Sequence, residues 1–167
     1  MKRELILNKN QIQQIINRIA YQILEDNFEE NEVIVAGVWA RGYRFALRLH
    51  IVLQQICAIK ITVASILLDK ESVNYDSNID IKLVSLEKKA VILVDDVLSS
   101  GRNLALGSAF FLKTPIKKLR TAVLINRSHK LFPIATDFVG LELSTVLKEH
   151  VEVILNENNE EDAVYLI

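Results

Sequence analysis

The sequence holds one cysteine and two prolines in 167 residues. A lone thiol, Cys57, forms no internal disulfide, so a reducing compartment is the expected home. With two prolines and five glycines, collagen-like and low-complexity classes are excluded. Neither sign of charge dominates: the formal net charge is -1, and no global positive field advertises nucleic acid. Long apolar runs are missing too. The longest, such as 33–40 and 90–94, fall far short of the roughly 20 residues that span a bilayer. The first ten residues, MKRELILNKN, break their apolar stretch too early for a secretory signal. These absences predict a cytoplasmic chain with no membrane partner. What is present is a composition that is half apolar and one-quarter charged, enough for a single domain with a substantial core.

Apolar spacing divides the chain into alternating helices and strands. Residues 5–27 read as a helix, with Asn8 as N-cap, Gln11 completing a capping box, and Ile12, Ile15, Ile16, Ile19 and Ile23 on one face. The segment 33–38 is β-branched and apolar on both parities, as a strand covered on both faces must be. A second helix follows, marked by Phe45, Ala46, Leu49, Leu53 and Ile56, with Cys57 as a core thiol on its apolar side. Residues 59–68 read as a strand and 69–88 as a polar loop or loose hairpin. Residues 90–94 form the clearest buried strand, with Asp95 and Asp96 at its end; a helix reaches about Leu112. Further strands are expected at 119–126 and 136–140, with weaker ones at 151–153 and 163–166. This order predicts an α/β fold with a mainly parallel sheet, whose ligands bind beyond the carboxyl ends of the strands. The turns 39–42 and 95–103 fall on that edge.

The turn at 95–103 carries the most chemistry. Ser99, Ser100 and Gly101 lead directly into a helix, whose first N–H groups have no intrahelical partner and carry partial positive charge. Such a loop seats a phosphate. Asp95 and Asp96, acceptor-only when ionised, suit the vicinal hydroxyls of a ribose or water on a magnesium ion. Together the two features describe a sugar phosphate. A glycosidase pair fits poorly, because adjacent strand residues point to opposite faces. A Walker loop is excluded here by the lack of its lysine. A phosphoacceptor aspartate would draw its acids from several strands. The remaining alternative is a capped turn with no ligand, Asp95 or Ser100 serving as helix caps.

VILVDDVLSSGRN (91–103) resembles the phosphoribosyl diphosphate (PRPP) signature of the type I phosphoribosyltransferase family. VIVAGVWARGYRFALRL (33–49) is similar to the first strand, diphosphate loop and helix of that family's PyrR group, the pyrimidine-operon regulators and uracil phosphoribosyltransferases. AVLINRSHKLFPIATDFVGLELST (122–145) resembles the group's stretch around the base. The resemblance covers nearly the whole chain as one domain and implies a type I phosphoribosyltransferase fold with a small hood from the N-terminal region and 127–150. It implies that Asp95 and Asp96 hold the ribose hydroxyls and, through water or substrate, magnesium. Leu98, Ser99, Ser100, Gly101, Arg102 and Asn103 would wrap the 5-phosphate. Ala40, Arg41 and Gly42 would form the diphosphate loop, with a cis peptide between Ala40 and Arg41, and Arg41 would act with the two aspartates in catalysis. Val139 and Gly140 would meet the base, and 69–88 would be a mobile loop carrying Lys70. The implied activity is Mg2+-dependent transfer of ribose 5-phosphate from PRPP to a nucleobase, uracil first, with loss of diphosphate. The alternative is a regulator that senses PRPP or a nucleoside monophosphate and binds RNA or a partner with weak turnover. A homodimer or higher homo-oligomer is also implied.

Several positions depart from the family pattern. Asn103 stands where Thr is usual, Ser99-Ser100 where Tyr-Thr is common, Trp39 where Lys is frequent, and Asn126 where an acid precedes Arg127. No Arg stands in 66–70, leaving Lys70 as a point charge without a bidentate fork. Lys113, Lys117, Lys118, Arg120, Arg127 and Lys130 form the basic stretch on which an RNA contact would depend. The ordinary alternative for it is a solvated helix end and loop.

Overall fold

The computed structural model describes residues 3–69, 77–127, 129–144, 149–155 and 161–167. Its central sheet has six strands: β2 (Glu32–Val38), β3 (Lys60–Leu67), β4 (Asn78–Ile79), β5 (Ala90–Leu98), β6 (Lys118–Asn126) and β7 (Phe138–Glu142). They lie in the order β4-β3-β2-β5-β6-β7, parallel except for β4. Helices α1 (Lys9–Asn27) and α2 (Arg41–Ile56) cover one face, and α3 (Arg102–Phe111) the other. Strand parity sorts the core between them. Val33, Val35, Ile92 and Val94 pack towards α1 and α2; Ile34, Ala36, Val91 and Leu93 pack towards α3. Phe45 and Leu49 of α2 are wholly buried, each contributing about 1.5–3 kcal/mol of apolar burial.

Helix α1 begins where its capping box predicts. Asn8 Oδ1 accepts the Gln11 N–H at 3.0 Å, and Gln11 Oε1 accepts the Asn8 N–H at 2.9 Å. The stripe Ile12, Ile16, Ile19 and Ile23 is buried as the spacing requires. The helix does not extend back to residue 5. Residues before Asn8 form β1 (Glu4–Leu7), paired antiparallel with β9 (Ala163–Leu166), which also pairs with β8 (Val151–Ile154). This three-stranded sheet is the small lobe beside the main sheet. It joins the N-terminal strand to two strands from beyond residue 150. Within 127–150, residues 138–142 form β7, the edge strand of the main sheet.

Two other boundaries differ from the sequence reading. Strand β5 runs on to Leu98, so Asp95 and Asp96 lie within it; continued pairing with β6, to Leu98 opposite Asn126, holds the extension. The polar region 69–88 contains β4 and a 3₁₀ turn at Leu83–Leu86; Lys70 lies outside the described residues. Cys57 is half-buried at the end of α2, its thiol donating to the Leu53 carbonyl at 3.1 Å. Among the described residues no helix is long and apolar enough to cross a membrane.

Topology places a crevice. The chain leaves β2 through α2 for β3 on one side, and leaves β5 through α3 for β6 on the other. Strands β2 and β5 are neighbours, with Gly37 opposite Val94. Their carboxyl ends therefore part in opposite directions, which opens the cleft where such sheets bind ligands.

Candidate functional site

Two loops meet in that crevice. The first, 39–42, joins β2 to α2, and contains a cis peptide between Trp39 and Ala40, one bond earlier than the resemblance implies. The second, 99–101, joins β5 to α3. The first loop packs on β5 through Gly42: a Cβ there would lie 2.9 Å from Asp95 Cα and 2.7 Å from the Val94 carbonyl oxygen. Only glycine permits this approach, so the 39–42 loop rests directly on the first acid of the pair.

Asp95 is 4% exposed and Asp96 9%. Asp95 Oδ1 accepts the Asp96 backbone N–H at 3.0 Å, and its Oδ2 accepts Asn103 Nδ2 at 2.9 Å. Burial pushes the Asp95 carboxyl well above the usual carboxylate range, and the neighbouring Asp96 charge pushes it further; the Asn103 bond opposes both. A cation or a set of hydroxyl donors would favour the ionised form. Magnesium fits this donor set. It takes one or two carboxylates and completes its shell with water and substrate oxygens. Among the described residues no cluster of three or more His, Cys, Asp or Glu offers an all-protein metal cage.

The loop before α3 is shaped for an anion. Gly101 is the N-cap with φ +84°, a left-handed conformation that side chains resist. Residues 97–104 and Asp95 line a small cavity over the helix N-terminus. Ser100 Oγ accepts the Arg102 N–H at 3.3 Å. The α3 dipole adds partial positive charge at the same point. Asn103 contributes its backbone to the first turn, while its side-chain amide goes to Asp95.

Two features escaped the sequence reading. The segment 131–134 clamps the loop: the N–H groups of Leu131 and Phe132 donate to the Ser100 carbonyl at 2.8 and 3.1 Å, and a Cβ on Gly101 would meet Ile134 Cγ2 at 2.6 Å. The run Leu131-Phe132-Pro133-Ile134, apolar in an otherwise polar connection, is the one sequence signal for it. Arg127 is the second. It is 7% exposed, its N–H donates to the Leu98 carbonyl at 2.9 Å, and its guanidinium reaches Ser99 Oγ at 3.5 Å and the Glu149 carbonyl at 2.5 Å. It is a buried cation behind the anion loop, where the sequence reading counted it in a basic surface.

Three others of the basic stretch are also engaged. Lys117 pairs with Glu30 at 2.7 Å, Lys118 with Asp26 at 2.9 Å, and Arg120 with Asp26 at 3.1 Å. The Arg120 bond and the two cations hold the Asp26 carboxyl below its ordinary value. Val139 lies level with Asp95, in register through Val123. The carbonyls of Val139 and Gly140 both accept from Arg18 of α1. Ala40 and Arg41 sit at the start of α2, Arg41 exposed.

Residues 3–158, which include the acid pair and the loop before α3, match the family model of the phosphoribosyl transferase domain. The chain belongs to the phosphoribosyltransferase family. It is 33% identical to the bifunctional protein PyrR of Streptococcus gordonii, covering 99% of this chain and 98% of that protein. It is 30% identical to the bifunctional protein PyrR of Leuconostoc citreum, covering 100% and 99%. Two solved phosphoribosyltransferases share its fold. A hypoxanthine-guanine phosphoribosyltransferase of Bacillus anthracis superposes with a TM-score of 0.78 at 20% identity over 98% of each chain. The hypoxanthine phosphoribosyltransferase of Trypanosoma cruzi gives 0.77 at 17% identity, covering 98% of this chain and 91% of that one.

Proposed function

We propose that this phosphoribosyltransferase transfers ribose 5-phosphate from PRPP to a nucleobase, with uracil the leading acceptor, and releases diphosphate. The observation that carries the reading is the contact of Gly42 with Asp95, which stacks the diphosphate-type loop, the acid pair and the anion loop in one crevice. The 5-phosphate sits over the α3 N-terminus, between the N–H groups of its first turn and the hydroxyls of Ser99 and Ser100. Asp95 and Asp96 accept from the two ribose hydroxyls. The N–H groups of Ala40 to Gly42 and the Arg41 guanidinium face the diphosphate. Uracil as acceptor rests on the likeness to PyrR proteins.

The barrier lies in breaking the C1–O bond, as positive charge grows on the sugar and negative charge on the departing diphosphate. The carboxylates stabilise the first, and Arg41 with the loop N–H groups the second. No protein nucleophile is required. Magnesium, held by Asp95 and Asp96 through water or substrate, would neutralise charge on the leaving group. Asn103 keeps Asp95 in position and opposes its protonation.

The regulatory reading has less support. Lys117, Lys118 and Arg120 are neutralised by acids of α1 and the turn after it, and Arg127 faces inward. The test is diphosphate release from PRPP with Mg2+ and a panel of bases. Uracil should be consumed one for one with diphosphate. PRPP binding without consumption of any base would refute transfer and leave a sensor.

A further inference from the structure

The chain that leaves β6 holds the anion loop at several points. The Arg127 N–H donates to the Leu98 carbonyl at 2.9 Å, and the N–H groups of Leu131 and Phe132 both donate to the Ser100 carbonyl. The Arg127 guanidinium reaches Ser99 Oγ at 3.5 Å through one terminal nitrogen and the Glu149 carbonyl at 2.5 Å through the other. Ile134 and the Phe132 carbonyl close on the Gly101 Cα, where a Cβ would meet them at 2.6 and 3.3 Å. The cavity over α3 has its wall elsewhere, in Asp95 and residues 97–104. Arg127 and the 131–134 segment therefore stand behind the loop.

We propose that Arg127 is a positioning residue, which aims the donors of the loop at the 5-phosphate from behind without touching it. This rests on the reading of the loop as a phosphate seat. A trans peptide sets its N–H opposite its C=O, and neither the Leu98–Ser99 nor the Ser100–Gly101 peptide is cis. With the Leu98 and Ser100 carbonyls held from behind, the N–H groups of Ser99 and Gly101 turn the other way, towards the cavity. A carbonyl facing the cavity would repel an anion. The Ser100 carbonyl instead uses both lone pairs on Leu131 and Phe132. A guanidinium can only donate, so Ser99 Oγ accepts from Arg127 and keeps its own hydrogen for the phosphate.

The second contact of the guanidinium gives the loop a fixed reference. Glu149 precedes β8, and the next residue, His150, exchanges both backbone bonds with Ile167 at 2.9 Å, which extends the β8–β9 pair. Strand β9 pairs in turn with β1. One buried side chain thus joins the small sheet to the phosphate loop, and the Ser99 hydroxyl is set against two rigid elements at once. The task needs a planar fork with two diverging donors. A lysine has one nitrogen and cannot serve Ser99 and Glu149 in that geometry. A buried donor that loses its acceptor has no solvent to replace it.

Calorimetric titration of the full chain with ribose 5-phosphate, and separately with inorganic diphosphate and Mg2+, reads the two ends of the crevice apart. Arg127→Met should weaken ribose 5-phosphate at least about tenfold and diphosphate far less. In transfer assays the KM for PRPP should rise by a similar factor with a much smaller change in kcat, because the 5-phosphate takes no part in bond breaking. Arg127→Lys should recover only part of the loss. Ser99→Ala should also weaken ribose 5-phosphate, and its combination with Arg127→Met should lose less than the two effects multiplied, because one acts through the other. If Arg127→Met fails to fold, Arg127→Lys alone and combined with Ser99→Ala carries the same test. Wild-type affinity for ribose 5-phosphate in the Arg127 variants overturns the proposal and leaves the transfer reading standing. Equal weakening of both ligands, or fully independent effects of Arg127 and Ser99, overturns it too, because the role is then structural. A wild type that binds ribose 5-phosphate through Arg127 and Ser99 as described, yet transfers to no base, refutes the transfer reading alone.

Discussion

Asn103, in the first turn of α3, donates its side-chain amide to Asp95 Oδ2 at 2.9 Å. The bond links the anion loop to the acid pair and makes the charge on Asp95 a matter of both. It also gives a physical role to the residue that departs from the usual Thr of the signature. Asn103→Ala should leave the fold intact and raise the KM for PRPP roughly tenfold, the loss of one hydrogen bond to a charged group. Steady-state kinetics with PRPP varied at saturating base measures it.

Burial makes the ionised Asp95 carboxyl costly to the fold. Asp95→Asn removes a buried acid whose ionised form is disfavoured by burial and by Asp96, and the Asn103 amide can turn over to present its oxygen. The unliganded variant should melt at least about 2 °C above wild type near neutral pH. Its transfer activity should fall at least about a hundredfold. A variant that melts lower and keeps its activity would contradict the burial argument.

The same residue sets a pH dependence. Its folded pKa is raised by burial and by Asp96, so between the ordinary carboxylate range and that raised value the folded chain binds more protons than the unfolded one. Stability of the unliganded protein should therefore fall as pH rises through this window. Melting temperatures at acid and alkaline pH measure it. The gap between Asp95→Asn and wild type should widen as pH increases.

Gly101 should tolerate no side chain. Its φ of +84° and the 2.6 Å approach of a Cβ to Ile134 predict that Gly101→Ala loses about 1–2 kcal/mol from backbone strain alone. PRPP binding should weaken as well, because the loop and its 131–134 clamp must shift. Denaturant unfolding and calorimetry read the two effects separately.

At the opposite edge of the sheet, Glu32 pairs with Lys60 at 3.0 Å and Lys89 at 2.9 Å and accepts from Thr62 Oγ1 at 2.8 Å. The Lys89 bond leads in lowering its carboxyl to about 2. Its contribution is present above the ordinary glutamate value and is lost as pH falls through the folded one. Glu32→Gln should cost about 1 kcal/mol near neutral pH, and the difference from wild type should shrink on acidification. Transfer activity should not change, which separates this ion pair from the site.

Local signals made much of the fold legible. The Asn8–Gln11 cap, the isoleucine stripe of α1 and the doubly buried run of β2 are set by residues close in sequence, and they appear as read. Strand β1 was not legible, because its pairing with β9 joins the two ends of the chain. Asp95 and Asp96 were found from the loop that follows them. Their burial, and the contact of Gly42 with Asp95, depend on β2 and β5 being neighbours, which spacing alone does not specify. Arg127 was misplaced for a similar reason: its inward position follows from the bond of its N–H to Leu98 across the β5–β6 ladder.

Calorimetric titration of PRPP with Mg2+ into wild type and into Asp95→Asn combined with Asp96→Asn tests the central claim most directly. The account predicts saturable binding to wild type and none to the double variant, with both proteins melting in a single cooperative transition. Equal binding by the two proteins would contradict it.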